Sequence, residues 1–178
     1  MKIIALCGKD RVGKTTHAKL LAERFGWTYV KFPNEELYSG KIIRQILNKE
    51  LPFEPVSFQA LQDSNKTETI RRLNPNENYI FDRFKLSAIV YGLADGLDEE
   101  WVRENAALLP EPDFTLVFCG APYGQDSDIY GKKEYQEKVS KLFIIEGISR
   151  EYEGIFVDGK TVEEIHEEIV SRIPEGLL

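Results

Sequence analysis

Cysteine is scarce in this chain: only Cys7 and Cys119 occur in 178 residues, each inside an apolar, strand-like run. No Cys-x-x-Cys pair and no metal-ligand spacing can be built from them. A disulfide scaffold is therefore excluded, and two buried free thiols in a reducing compartment are expected. Basic charge is also short, with 23 Lys and Arg against 30 Asp and Glu and a net charge of −7. A nucleic-acid surface wants a basic face, so any anion site must be local. No apolar stretch approaches the roughly 18 residues that a membrane span needs. The chain starts directly on a strand pattern, with no signal-peptide signature. These absences predict a cytoplasmic protein with neither nucleic acid nor membrane as partner. Repeats, low-complexity tracts and linkers are missing too, and the 42% apolar and 30% charged composition is ordinary for a globular protein. One domain over 1–178 is the simplest reading.

What is present is concentrated in residues 2–25. Residues 2–7 form a short apolar run, Gly8-Lys9-Asp10-Arg11-Val12-Gly13-Lys14-Thr15 fits G-x-x-x-x-G-K-[ST], and Thr16 onward has helical spacing. Strand, phosphate loop and helix follow in that order. Gly8 and Gly13 can take backbone angles that a Cβ forbids, which lets successive N–H groups converge on a polyphosphate at a helix N-terminus. Lys14 then places its ammonium on the β- and γ-phosphates, and the Thr15 hydroxyl reaches Mg²⁺.

Further along, residues 27–32 read as a second buried strand and 39–49 as a helix with a stripe of Ile42, Ile43, Ile46 and Leu47. Residues 56–73 read as a polar helix carrying Phe58, Leu61 and Ile70 inward. A third strand at 79–81 ends on Asp82-Arg83, helices are expected at 84–93 and 98–108, and a fourth strand at 113–119. A loop at 120–127, a charged helix at 130–147, a fifth strand at 154–158 and a last helix at 161–173 complete the chain. Thr161-Val162-Glu163-Glu164 is a capping box. Alternating strands and helices predict an α/β fold whose five-stranded parallel sheet is covered on both faces, with ligands beyond the carboxyl ends of the strands. The phosphate loop and Asp82-Arg83 both sit on that rim. There Asp82 can hold Mg²⁺ through water, and the Arg83 guanidinium can grip a second phosphate bidentately. His17 reads as a packing residue, and His166 as part of a solvated acidic helix face.

These segments together resemble the thymidylate kinase family of P-loop nucleoside monophosphate kinases, in the form with Asp-Arg inside the phosphate loop. The likeness rests on Gly8 to Thr16, on Phe32-Pro33 followed by Gly40-Lys41, and on Asp82-Arg83-Phe84 with Ser87 and Tyr91. Leu109-Pro110-Glu111-Pro112-Asp113 and Val157-Asp158 complete it. It implies a P-loop NTPase three-layer fold with a short lid at about 120–133, and transfer of the γ-phosphoryl of MgATP to the 5′-phosphate of a pyrimidine deoxynucleotide, dTMP first among them. By the same resemblance ATP is held by Gly8, Lys9, Asp10, Arg11, Val12, Gly13, Lys14, Thr15 and Thr16. The acceptor lies among Asp10, Phe32, Pro33, Phe58, Gln62, Lys66, Arg83, Ser87 and Tyr91. Catalysis falls to Arg11, Lys14, Asp82 and Arg83, the metal to Thr15 and Asp82, and the assembly is a homodimer. Asp10 meets the sugar 3′-hydroxyl, Tyr91 packs under the sugar, and Arg11 neutralises the migrating phosphoryl from within the loop.

The lid segment Gln125-Asp126-Ser127-Asp128-Ile129-Tyr130 has no Arg, and Lys132 and Lys133 are its nearest cations. The transition-state charge therefore falls to Arg11. Two departures from the family pattern stand out. Asn34-Glu35-Glu36 follows Pro33 where an Arg is usual, with Lys31, Lys41 or Arg44 as substitutes. Gln62 and Lys66 stand where an aromatic and an Arg usually meet the base, with Phe58 a turn earlier as the available ring. Two rivals remain: a deoxynucleoside kinase using Glu35 or Glu36 as the base for a sugar 5′-hydroxyl, and a GTPase-like switch suggested by Asn65-Lys66-Thr67-Glu68. A kinase for a 5-substituted deoxyuridylate is a variant of the main reading. The apolar residues Leu86, Ile89, Val90 and Leu93 are either an association surface or core.

Overall fold

The computed structural model describes residues 1–124 and 128–178. An uncharged aliphatic run builds β1 (Ile3–Gly8), all of it buried. Such a strand belongs in the middle of a parallel sheet, and there it lies. The others are β2 (Thr28–Lys31), β3 (Tyr79–Asp82), β4 (Phe114–Cys119) and β5 (Glu153–Phe156), all parallel, in the order β2-β3-β1-β4-β5. Their connections are α1 (Lys14–Phe25), α2 (Tyr38–Leu47), α3 (Pro55–Arg72), α4 (Lys85–Ala94), α5 (Glu99–Ala107) and α6 (Lys133–Ser149), with α7 (Val162–Arg172) after β5. The side chains of β1 alternate between two cores. Ile4 and Leu6 join Leu21 of α1 and Ile165 and Ile169 of α7 on one face. Ile3, Ala5 and Cys7 join Val90 of α4 and Phe143 of α6 on the other. This is the expected three-layer α/β architecture, and the Thr161–Glu164 capping box is present. No helix among the described residues is long and apolar enough to cross a membrane.

Several local expectations are corrected. β2 is an edge strand with half-exposed or exposed residues rather than a buried one, because only β3 covers it. Ile42 turns outward, while Ile43, Ile46 and Leu47 carry the α2 stripe. In α4, Leu86, Ile89 and Val90 are buried beneath α5 and α6, and Leu93 packs half-buried against the α5 cluster, so that stripe is core. Cys7 and Cys119 are free, the first buried and the second half-buried. The lid is described only at 120–124 and 128–133; Gln125, Asp126 and Ser127 lie outside the described residues, and α6 begins at Lys133 rather than at Tyr130.

His166 is not on a solvated face. It is half-buried and stacks on His17, with ring centroids 6.2 Å apart and 13° between planes. His17, 1% exposed, also packs on Phe118. Burial, and then the neighbouring His166, lower its pKa to about 4. Between the ordinary value of 6.5 and about 4 the unfolded chain takes up a proton that the folded chain does not, so stability is lost as pH falls through that window. Urea unfolding should therefore show His17 costing about 2 kcal/mol between pH 7 and pH 5. His17→Leu should remove that part of the slope, and an unaltered slope would contradict the assignment.

The turn after β2 depends on a missing side chain. A Cβ on Gly40 would stand 1.9 Å from the carbonyl oxygen of Asn34, so α2 approaches this turn as only glycine allows. Gly40→Ala must push the turn off the helix, at a cost of about 2 kcal/mol or more. A thermal melt should show a loss of several degrees, and an unchanged melting temperature would mean that the turn yields freely.

Candidate active site

β1 and β3 run side by side to the sheet's carboxyl rim, with Leu6 paired to Asp82 and the Arg83 amide donating to the Leu6 carbonyl at 2.9 Å. The phosphate loop therefore emerges next to Asp82 and Arg83. Gly8 passes so close to β4 that a Cβ would meet the Phe118 carbonyl oxygen at 2.7 Å, and Gly13 caps α1 in the left-handed conformation. Lys14 is buried, and its ammonium donates to the Lys9 carbonyl. Burial, and then the nearby Arg83, lower the Lys14 pKa to about 7, the reverse of what a bound polyphosphate would do.

Beside the lysine, the Thr15 hydroxyl donates to Asp82 Oδ2, and the Tyr29 hydroxyl reaches the same oxygen at 3.2 Å. A hydroxyl and a carboxylate oxygen side by side are hard donors. Among the described residues no three His, Cys, Asp or Glu group together as a metal cage. This donor set fits Mg²⁺, which keeps water and takes phosphate oxygens as its remaining ligands.

Across the rim, Arg83 Nη2 is ion-paired with Asp10 Oδ1, and the Tyr91 hydroxyl donates to Asp10 Oδ2 at 2.8 Å. Arg83 Nη1 contacts the Gly8 carbonyl and the Tyr91 hydroxyl, each at 3.3 Å. Its guanidinium lies over the Tyr91 ring, 5.3 Å from the centroid. Burial opposes charge at Asp10, but Arg83 and Lys14 outweigh it and its pKa falls below the ordinary carboxylate value. The Tyr91 hydroxyl is pushed up by burial and, against Arg83, by Asp10. Arg11 and Arg83 have φ of 58° and 68°, left-handed values that non-glycine residues seldom take and that cluster where geometry is over-determined by function.

One cavity of about 680 Å³ joins these parts. Asp10, Phe32, Pro33, Phe58, Gln62, Lys66, Arg83, Ser87 and Tyr91 all line it, and so do Arg11, Val12, Gly13, Lys14, Thr15, Thr16 and Asp82. Gly8 and Lys9 contribute backbone behind the wall, through the carbonyls that receive Arg83 and Lys14. Of the substitutes for the missing Arg, Lys31 and Arg44 line the cavity and Lys41 does not; its ammonium lies 5.6 Å from the Tyr38 ring centroid. Arg44 is ion-paired with Glu35 at 2.6 Å. Neither Glu35 nor Glu36 lines the cavity, which removes the placement a nucleoside kinase base needs. Lys132 and Lys133 are also outside its wall.

Sequence reasoning missed Gln59, Asp63 and Tyr130. Gln59 and Tyr130 line the cavity, and Tyr130 packs on Phe58 and Tyr91 with its hydroxyl on Asp95 at 2.9 Å. The available signal was the polarity of α3 itself, which is too strong at 59, 63 and 66 for a helix merely resting on a core. A second cavity of about 240 Å³, lined by Val12, Gly13, Thr16, His17, Tyr123, Val162 and Ile165, opens on the other side of the loop.

The thymidylate kinase family model matches residues 7–169. The thymidylate kinase of Schizosaccharomyces pombe is 29% identical over 195 residues, spanning 97% of this chain and 91% of that protein. A probable thymidylate kinase of Methanocaldococcus jannaschii is 31% identical over 175 residues, spanning 92% and 90%. Among solved structures, the thymidylate kinase of Candida albicans superposes with a TM-score of 0.80 at 24% identity, covering 96% of this chain and 89% of that one. With the family model spanning most of its length, the chain belongs to the thymidylate kinase family, ATP-dependent nucleoside monophosphate kinases built on the P-loop fold.

Proposed function

We propose that the chain transfers the γ-phosphoryl group of MgATP to the 5′-phosphate of dTMP, giving dTDP. The observation that carries this reading is Arg83, a charged guanidinium at the end of β3 in the same cavity as the phosphate loop. A fixed cation there suits a phosphate already present on the acceptor, and an anionic acceptor needs no general base. In this account Lys14 and Arg11 neutralise the transferred group. Thr15 and Asp82 would hold Mg²⁺, which would supply neutralisation of phosphate charge. Asp10 and Tyr91 receive the sugar, and Phe58 is the ring nearest the base. The smaller cavity beside Thr16, between Tyr123 and Val162, takes the adenine of the donor. The enzyme is proposed to act in the cytoplasm as a homodimer, testable by sedimentation against the 20.5 kDa of one chain.

The test is an ADP-release assay with MgATP against a panel of nucleosides and nucleoside monophosphates, including 5-substituted deoxyuridylates. Turnover with dTMP and none with thymidine is the expected result. Turnover with thymidine and none with dTMP would move the chain to the nucleoside kinases.

A further inference from the structure

Gln59, Asp63 and Lys66 are 4%, 9% and 4% exposed, and their spacing stacks them on one face of α3. Gln59 Nε2 donates to both carboxylate oxygens of Asp63, at 3.1 and 3.0 Å, and Lys66 Nζ reaches Asp63 Oδ1 at 3.3 Å. Gln59 and Lys66 line the acceptor cavity, whereas Asp63 stands behind them. An ammonium has three donors and no fixed fork, so neither its charge nor its direction is secured by its own geometry when buried. Burial lowers the Lys66 pKa, Asp63 opposes that, and Arg83 adds to the lowering. The other carboxylates in the wall are engaged elsewhere: Asp10 with Arg83, Asp82 with Thr15, and Asp128 with Tyr130. Of the cations facing the cavity, Arg44 from α2 is held by Glu35, and Lys31 from β2 is exposed. Asp63 is thus the anion in contact with Lys66.

We propose that Asp63, braced by Gln59, is a positioning residue that keeps Lys66 charged and aimed at the 4-oxo group of the acceptor pyrimidine. This rests on the reading that a nucleoside monophosphate occupies the cavity. A 4-oxo pyrimidine presents an acceptor to the ammonium, whereas a 4-amino pyrimidine presents a donor against a donor. The buried carboxylate thereby selects the base without touching it.

The test measures kcat and KM for dTMP, dUMP and dCMP from pH 6 to 9.5 in the wild type, Asp63→Asn, Lys66→Met and the Asp63→Asn/Lys66→Arg pair. Asp63→Asn should raise the KM for dTMP about tenfold with kcat little changed, because one lost charge-assisted contact is of that size. It should also move the fall in kcat/KM at high pH to a lower pH than in the wild type, since a lysine without its anion discharges earlier. Preference for dTMP over dCMP should drop about tenfold in Asp63→Asn and in Lys66→Met, and return in the double variant, whose guanidinium stays charged unaided. Unchanged preference, or an unchanged pH profile in Asp63→Asn, overturns the proposal. So does an equal loss with dTMP and dCMP in Lys66→Met, which would put the ammonium on the acceptor phosphate. If Asp63→Asn does not fold, Gln59→Leu, which removes the brace and keeps both charges, should show the same loss of preference in smaller measure, and an unchanged preference there overturns the proposal. A wild type inactive on every monophosphate overturns the kinase reading itself, whereas an active wild type with unaltered variants overturns only the role of Asp63.

Discussion

Arg11→Ala is expected to lower kcat by about 10³ or more while the KM for ATP stays within a few-fold. Phosphoryl transfer demands positioning and neutralisation of charge spread over the migrating group. Arg11 is exposed on the loop and faces the cavity, and its carbonyl is held by the Tyr123 amide at 2.7 Å. Among the described residues beyond β4, no arginine or lysine lines the cavity, so the lid root offers no replacement there. The backbone amides and Lys14 remain to bind the ground state, which is why the loss should fall on kcat. Arg11→Lys should recover part of the rate, since it restores charge without the planar fork. Near-normal turnover in Arg11→Ala would remove the arginine from the mechanism.

The second large effect belongs to Arg83. Arg83→Gln should depress kcat/KM for the acceptor by about 10³, since a buried charge contact is lost, with ATP affinity little altered. The substitution also leaves Asp10 without the guanidinium that stabilises its charge, so a drop in thermal stability of about 3 kcal/mol should accompany it. The two effects separate experimentally. Adding Asp10→Asn removes the orphaned charge and should recover stability, but not use of the acceptor. Full acceptor kinetics in Arg83→Gln would leave the acceptor phosphate to other cations in the wall, such as Lys31.

Legibility of the site in the sequence followed how local each signal was. The loop from Gly8 to Thr16 and the pair Asp82-Arg83 are each contiguous, so their residue types and the strands they end point to one rim, and there they line one cavity. The alternation of strands and helices likewise carried the fold class. Strand neighbours are not legible in the sequence, where Trp27, Tyr29, Val30 and Phe32 read as an interior run and β2 looks buried. Its edge position depends on pairing with β3 about fifty residues away. The same limit hid the meeting of Asp10 with Arg83, the Arg44–Glu35 pair and the stacking of His166 on His17. In α3 the pattern was visible but its meaning was not. Polar residues at 59, 63 and 66 look like a solvated face until the helix is seen to turn that face into a cavity.

Whether the acceptor already carries a phosphate decides what this enzyme does. Phosphorus NMR on the protein mixed with MgATP and dTMP reads the new bond directly. It should show the dTMP monophosphate signal replaced by the α- and β-phosphate signals of dTDP as ADP appears in equal amount. A dTMP signal that persists while ATP is consumed, or while added thymidine is converted to its monophosphate, would contradict it.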